Sequence, residues 1–344
     1  MRDRKGTERR IHLMRRFLRY HEFYLAIVII VLSIIITSIN RQFLTLENFF
    51  DLLKSYSFLG ILAVGVLIVL ISGGIDISFT AMTSVAEYVM ALYIINLESN
   101  IVMAFVLAVL VGIALGAFNA TFIYFLRIPA IIVTIATLNI YYGLLSFFSG
   151  GKWIYALPGW FRDFSVIEVF RLVNQEGISY GLSIVTVIWL AVVLLALFIL
   201  RHTTLGRSIY AMGGNPVSAQ RVGVNIFKLQ FFVYCFMGAL SGVAAVVHAL
   251  LVMNVAPNAI VGKELDVIAA VVLGGANLAG GAGTLLGTIL GVALVALMSN
   301  GITLMRVSSL WYNVFIGLII IISVGVTAYQ LRTKEKQRAV IDIE

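Results

Sequence analysis

The sequence predicts an all-α integral membrane protein, a polytopic bundle of about ten transmembrane helices with both termini in the cytoplasm. Three observations carry that expectation. The 344-residue chain is 61% hydrophobic and only 12% charged, against about 25% charged residues in a soluble domain, and its mean hydropathy is +1.04. Polar groups this scarce cannot cover a surface facing water, and disordered, collagen-like and disulfide-scaffold classes fall away as well. The one cysteine, Cys235, sits inside an apolar run and has no second thiol to pair with. Next, apolar runs near the roughly 20 residues needed for a span recur at 23–39, 58–71, 78–95, 101–126, 130–148, 181–200, 229–252, 265–278, 284–300 and 309–328. The 265–278 run is too short to cross comfortably. Last, the basic residues are placed where cytoplasmic segments carry them.

That placement explains the formal charge of +8. Arg2, Arg4, Lys5, Arg9, Arg10, Arg15, Arg16 and Arg19 precede the first run; Arg201, Arg207, Arg221 and Lys228 lie in 201–228; Arg332, Lys334, Lys336 and Arg338 lie in the tail. An even number of crossings puts both basic ends on one side, and threading from a cytoplasmic start puts 201–228 there too. The charge therefore reads as a topology signal and not as a nucleic-acid surface, and the expected surroundings are a lipid bilayer.

Taken in order, residues 1–22 read as a basic cytoplasmic segment. In it Ile11, Met14, Phe17 and Leu18 share one helical face, suiting either a surface-lying amphipathic helix or a plain basic anchor. The first run stays as a helix: its leader is long for a signal peptide, and Asn40-Arg41-Gln42 follows it in place of a small-x-small cleavage site. Residues 23–328 form the membrane domain and 329–344 a cytoplasmic tail. Within the domain, 150–180 is an external loop whose Trp153, Tyr155, Trp160, Phe161, Phe164 and Phe170 suit an interfacial belt or a docking surface. Gly112/Gly116, Gly238/Gly242 and Gly283/Gly287/Gly291 recur every fourth residue, lining helix faces that allow close approach. Gly281-Ala282-Gly283 is no dinucleotide loop, because the spacing, the preceding strand and the later acidic residue are all missing.

The interruption Ser72-Gly73-Gly74-Ile75-Asp76-Ile77-Ser78 carries the first chemistry. Asp76 either caps the following helix or takes part in a gate, since charge at membrane depth faces a protein interior or a water path. Gly73 and Gly74 permit the non-helical bend. A second break, Leu273-Gly274-Gly275-Ala276-Asn277-Leu278, echoes it, although five positions are too few to establish a repeat. Glu87, Asn119, Asn139, His248, Asn254, Asp266 and Asn300 are the remaining intramembrane polar residues. Each reads first as an interhelical hydrogen-bond partner. Their sparseness suits a neutral polar passenger better than an ion, and no catalytic or metal-binding pattern accompanies them.

The 201–228 loop carries the second signal. Asn215 is a good N-cap, Pro216 a good first helical residue, and Gly223 a C-terminal stop. A helix over Pro216–Val222 follows, with helix-breaking glycines on both sides. A rigid capped rod in a cytoplasmic loop suits docking into a groove of another protein; the alternative is a merely solvated turn. The chain has no G-x-x-x-x-G-K-[ST] run, so ATP, where used, binds a different polypeptide.

Ser72–Ser78, Leu126-Arg127-Ile128-Pro129-Ala130-Ile131-Ile132-Val133-Thr134, the 206–223 loop and the stretch from Ala269 through Gly287 together resemble the membrane permease subunits of bacterial ABC sugar importers. These form the ribose, xylose and autoinducer-2 group of the branched-chain transport permease superfamily. The resemblance covers nearly the whole chain, and Gly150-Gly151-Lys152-Trp153-Ile154 with Leu157-Pro158 looks closer to autoinducer-2 and rhamnose-type permeases than to ribose ones. Where the family usually has leucine after the Asp and Val-Gly after the Ser, this chain has Ile77 and Phe79-Thr80. The resemblance implies two permeases, identical or paralogous, forming one path, a cytoplasmic ATPase pair gripping the loop, and an external solute-binding protein.

The expected function is thus the path-forming subunit of an ATP-driven importer of a small sugar or sugar-like solute, not itself an enzyme and without a cofactor. Gly206, Arg207, Gly213, Asn215, Pro216, Arg221 and Gly223 are the candidate coupling residues. Asp76, Gly73 and Gly74 are the gate or helix-cap candidates, and Asn119, Asn139 and Trp153 are candidates for the solute path. The alternative is an ion-coupled carrier that needs no ATPase.

Overall fold

A computed structural model describes residues 21–97, 99–173, 177, 179–308, 310–318, 321 and 325. The amphipathic face before residue 20 and the tail at 329–344 lie outside the described residues. The elements are α1 (His21–Ile39), α2 (Leu46–Ile71), α3 (Phe79–Asn96), α4 (Ile101–Phe125), α5 (Ala130–Ser149), α6 (Gly159–Ser165), β1 (Glu168–Val173), β2 (Ser179–Ser183), α7 (Ile184–His202), α8 (Thr204–Gly214), α9 (Pro216–Arg221), α10 (Ile226–Val252), α11 (Glu264–Leu273) and α12 (Leu285–Leu304). Residues 310–318 are helical again. Among the described residues seven helices, α1, α2, α4, α5, α7, α10 and α12, are long and apolar enough to cross a membrane. The fold is that of an α-helical integral membrane protein.

Helix starts follow local chemistry. Thr45, Asn100, Thr203, Asn215, Asn225 and Thr284 each accept a backbone N–H of the first turn of the helix they precede, satisfying donors that have no intrahelical partner. Helix α2 begins well before the apolar run at 58, because Glu47, Asp51 and Lys54 occupy its first turns and hide them from a search for apolar stretches. Helix α11 has only 10 residues, about 15 Å at 1.5 Å per residue, which is half of a hydrocarbon core. The aromatic-rich segment after α5 is not a plain loop. It contains α6 and an antiparallel β1–β2 hairpin, because Glu168-Val169-Phe170-Arg171-Leu172-Val173 interleaves β-branched and aromatic residues with charges.

Burial separates two kinds of helix. The apolar windows of α2 and α10 are 83% and 67% buried, whereas those of α1, α4 and α5 are 11%, 22% and 28% buried. The first pair forms the centre, and the second set leaves its apolar faces for lipid or for another subunit. Helix α10 packs most extensively on α4, and the four-residue glycine spacing is the cause. Gly112 lies against Gly238, Gly116 against the Tyr234–Cys235 backbone, and Gly242 against the Ala108 backbone. Gly287 and Gly291 likewise seat α12 on the backbone of α11 at Gly274 and Ala270. Backbones brought this close gain dispersion that bulkier side chains would forbid.

Contacts between helix ends sort the molecule into two poles. Thr284 donates to Glu22 at 2.6 Å, and the Gly281 N–H donates to the Ile71 carbonyl at 2.9 Å, so the starts of α1 and α12 and the end of α2 share the pole that holds 201–228. At the other pole Asn48 and Asn300 exchange hydrogen bonds at 2.9 and 3.3 Å. There too Ile154 and Val255 pair as an isolated antiparallel bridge.

Candidate functional site

The site is built around 201–228. The expected rod is present as α9, capped by Asn215, whose Oδ1 accepts the Ser218 N–H at 2.9 Å. Pro216 stands at its first position, and Gly223 follows with φ +91°. The glycines before it do not break the chain as expected. Gly206, Gly213 and Gly214 lie inside α8, an 11-residue helix, where Gly206 and Gly213 serve close packing and Gly214 has open space beside it. Gly206 sits on the backbone of Ile199 and Leu200 at the end of α7, and Gly213 on the backbone of Ile71 and Gly281. Arg207 and Arg221 are exposed, as are Asn215 and Pro216. Val217 and Val222 are 59% and 79% exposed, an apolar presentation left open among the described residues.

Both glycine breaks converge on α8. The first ends α2 with a Schellman cap: Gly73 N–H donates to Leu70 O at 3.0 Å and Gly74 N–H to Val69 O at 3.1 Å, with Gly73 at φ +86°. The second ends α11 in the same way: Gly275 N–H donates to Val272 O at 2.9 Å and Ala276 N–H to Val271 O at 3.2 Å, with Gly275 at φ +88°. This geometry aligns Gly73 with Gly275, one place along from the Gly-Gly match in the sequence, and explains why glycine is needed there. A short acceptor turn follows each cap, from Asp76 to the Ser78 N–H at 2.8 Å and from Asn277 to the Ala279 N–H at 3.0 Å. A β-carbon on Gly280 would stand 2.6 Å from Gly73 Cα, and one on Gly281 would stand 2.8 Å from Gly214 Cα. The two breaks and the end of α8 are thus in backbone contact. Tyr210 of α8 adds a hydrogen bond, its hydroxyl donating to Gly283 O at 2.8 Å.

Asp76 is 2% exposed and is not the N-cap of α3; Ser78 holds that position and makes no side-chain cap bond. Instead Asp76 Oδ1 accepts from both the N–H and the hydroxyl of Ser78, at 2.8 and 2.7 Å. Asn119 of α4 donates to Ser78 Oγ at 2.7 Å, and Tyr141 of α5 donates to Asn119 Oδ1 at 3.0 Å. Thr134 donates to Ile75 O at 3.2 Å. The first break is therefore wired to α4 and α5, a role the sequence does not assign to Tyr141. Among the described residues Asp76 Oδ2 and the hydroxyl of Tyr234 are buried without a hydrogen-bond partner. Tyr234 adjoins Gly74 and lines a cavity of about 880 Å3 with Gly73, Arg127, Gly213, Pro216 and Gln230.

The three residues suggested for the solute path are not brought together. Asn119 is fully buried in the Asp76 network. Asn139 is exposed on α5 and donates to its own helix at Ile135 O. Trp153 is half exposed at the opposite pole, stacked on Tyr155. The other intramembrane polar groups pair separately: His248 Nδ1 lies 2.8 Å from Glu87 Oε1, and Glu264 accepts from Thr80 and from the Gly262 N–H. Among the described residues no cluster of His, Cys, Asp and Glu could hold a metal ion.

A bundle of apolar helices with two broken segments clamped to one loop helix has the build of a membrane transport subunit. The comparisons agree. The family model described as "Branched-chain amino acid transport system / permease component" matches residues 48–324. The ribose import permease protein of Escherichia coli strain K12 is 32% identical over 300 residues, covering 87% of this chain and 91% of that protein. The autoinducer 2 import system permease protein of Yersinia pseudotuberculosis serotype IB is also 32% identical, over 89% of this chain and 84% of that protein. The ribose import permease protein of Haemophilus influenzae is 30% identical over 93% and 96%. No solved structure matches the chain. The chain belongs to the branched-chain transport permease family, as a membrane-spanning permease subunit of the ABC importer class. It is a transport component of the cell membrane. Identity to the ribose and to the autoinducer-2 permease is the same, at 32%.

Proposed function

We propose that this permease forms the path for a sugar or sugar-like solute and is driven by ATPase subunits that grip α9 from the cytoplasm. The observation that carries the reading is the capped rod itself. Helix α9 is rigidly closed at both ends and exposes Val217 and Val222, and α8 joins it directly to both glycine breaks. Gly206, Arg207, Gly213, Asn215, Pro216, Arg221 and Gly223 act in coupling, Gly206 and Gly213 by close packing and the others by shaping or presenting the rod. Asp76, Gly73 and Gly74 act at the inner gate. The solute class comes from relatives named as ribose and autoinducer-2 import permeases. The scarcity of unpaired intramembrane charge supports a neutral passenger.

In this reading the pole with 201–228 is cytoplasmic, as the positive-inside rule requires. There are ten passes, counting α3 and the short α11, and both termini are cytoplasmic. The chain divides into a leader at 1–22, a membrane domain at 23–328 and a tail at 329–344. A solute-binding protein delivers from outside, toward the hairpin and Trp153, and a second permease copy or paralogue completes the path. Replacing 215–221 by a Gly/Ser linker tests this. Solute-stimulated ATP hydrolysis by the reconstituted importer should be lost while the permease still inserts. Undiminished stimulation, or uptake by the permease alone under an ion gradient, overturns the reading.

A further inference from the structure

Helix α8 is held at both of its ends. At the first, Thr203 caps it and also donates to Ile199 O at 2.6 Å, and Gly206 rests on the α7 backbone. At the second, Gly213 lies on Ile71 and Gly281, and Tyr210 donates to Gly283. Between them Ile209 is fully buried and Met212 7% exposed. Helix α8 thus runs from its seat on α7 at Gly206 to an end, joined to α9 through Asn215, that touches both breaks.

We infer that α8 is a lever and that Tyr210 is a positioning residue, its hydroxyl locking the lever to the break before α12 so that both breaks shift together. This rests on the coupling reading above and assigns the link between the gripped rod and the gate. The end of α8 presses on both breaks, at Ile71 and at Gly281, but a packing contact pushes and does not pull. The Tyr210–Gly283 bond, with the Gly281–Ile71 bond beside it, makes the second follow. Tyr210→Phe keeps the ring and its packing and removes only the donor.

The test uses the importer with its ATPase and binding-protein subunits reconstituted in vesicles. Spin labels at Ala211→Cys and Ala282→Cys, both exposed positions, are placed in a Cys235→Ser background. With Tyr210 present, the distance between them should be the same in nucleotide-free and ATP-trapped states. With Tyr210→Phe it should lengthen or broaden on trapping, and solute imported per ATP hydrolysed should fall about two- to tenfold, the range set by one net hydrogen bond. The complex should still co-purify. A label distance that changes on trapping in the parent protein, or full import per ATP with Tyr210→Phe, overturns the inference. The 215–221 linker variant separates the two claims. If it uncouples while Tyr210→Phe does not, the lever fails and the coupling reading stands; if it does not uncouple, both fall.

Discussion

The break after α2 and the break after α11 end their helices identically and are then secured in different ways. The first is held by side chains: Asp76, Ser78, Asn119, Tyr141 and Thr134 tie it to α4 and α5. The second is held mostly by main chain, with Gly280 and Gly281 pressed onto Gly73, Gly213 and Gly214. A hydrogen-bonded tether tolerates a conservative change at one member, because the others persist. Close packing of backbone tolerates no added atom. The two breaks should therefore respond to mutation very differently, although they look alike in outline.

The largest effect is expected at the packed break. Gly280 has φ +90°, and its β-carbon would stand 2.6 Å from Gly73 Cα and 2.8 Å from Gly213 O. Gly280→Ala adds a backbone clash to a left-handed strain of about 1–2 kcal/mol, and detergent-solubilised protein should lose its monodisperse peak or melt far below the parent. Gly150→Ala is the control. It carries a similar strain at φ +59° but has nothing within 4 Å, so only the backbone cost of about 1–2 kcal/mol remains. Equal melting of the two variants would refute tight packing at the second break.

The tethered break should show a graded response. Asp76→Ala leaves the buried Ser78 N–H without its acceptor, at about 1–3 kcal/mol. Asp76→Asn keeps an oxygen that accepts it and should lie nearer the parent in thermal unfolding. Asn277→Ala removes the corresponding turn at the other break, where Ala279 is exposed and water replaces the acceptor. Its effect should be the smaller. Were Asn277→Ala the more damaging of the two alanine changes, side chains would matter more at the second break than its geometry indicates.

Composition and charge placement were enough to read the membrane class, most helix positions and the capped rod, because hydropathy, caps and the positions of arginines are local properties of a sequence. Glycine spacing also foretold close helix approach, since a bare face has one use inside a bundle, but not that α4 and α10 are the partners. What stayed illegible was long-range. Tyr210 is an ordinary aromatic in the loop until Gly283, at a sequence separation of 73, is brought to it. Gly213 looks like a breaker until Ile71 and Gly281 close on it. The similarity of the breaks was visible, but its register was not, because positive φ at Gly73 and Gly275 defines the match and the letters do not.

The smallest effect is expected at the far end of the tether, where it bears on the solute path. Asn119 accepts from Tyr141 and donates to Ser78, so its amide is occupied on both sides. Tyr141→Phe removes the single hydroxyl proton shared between Asn119 Oδ1 and Leu115 O, each 3.0 Å away, for a loss of about 1 kcal/mol. If Asn119 only braces the break, melting falls by a few degrees and the solute concentration giving half-maximal uptake does not move. If Asn119 also meets the solute, freeing its oxygen changes what it offers a hydroxyl, and that concentration shifts. The geometry favours the first outcome: Asn119 is fully buried, and to meet a passenger it would have to give up Ser78, the group that holds the Asp76 turn.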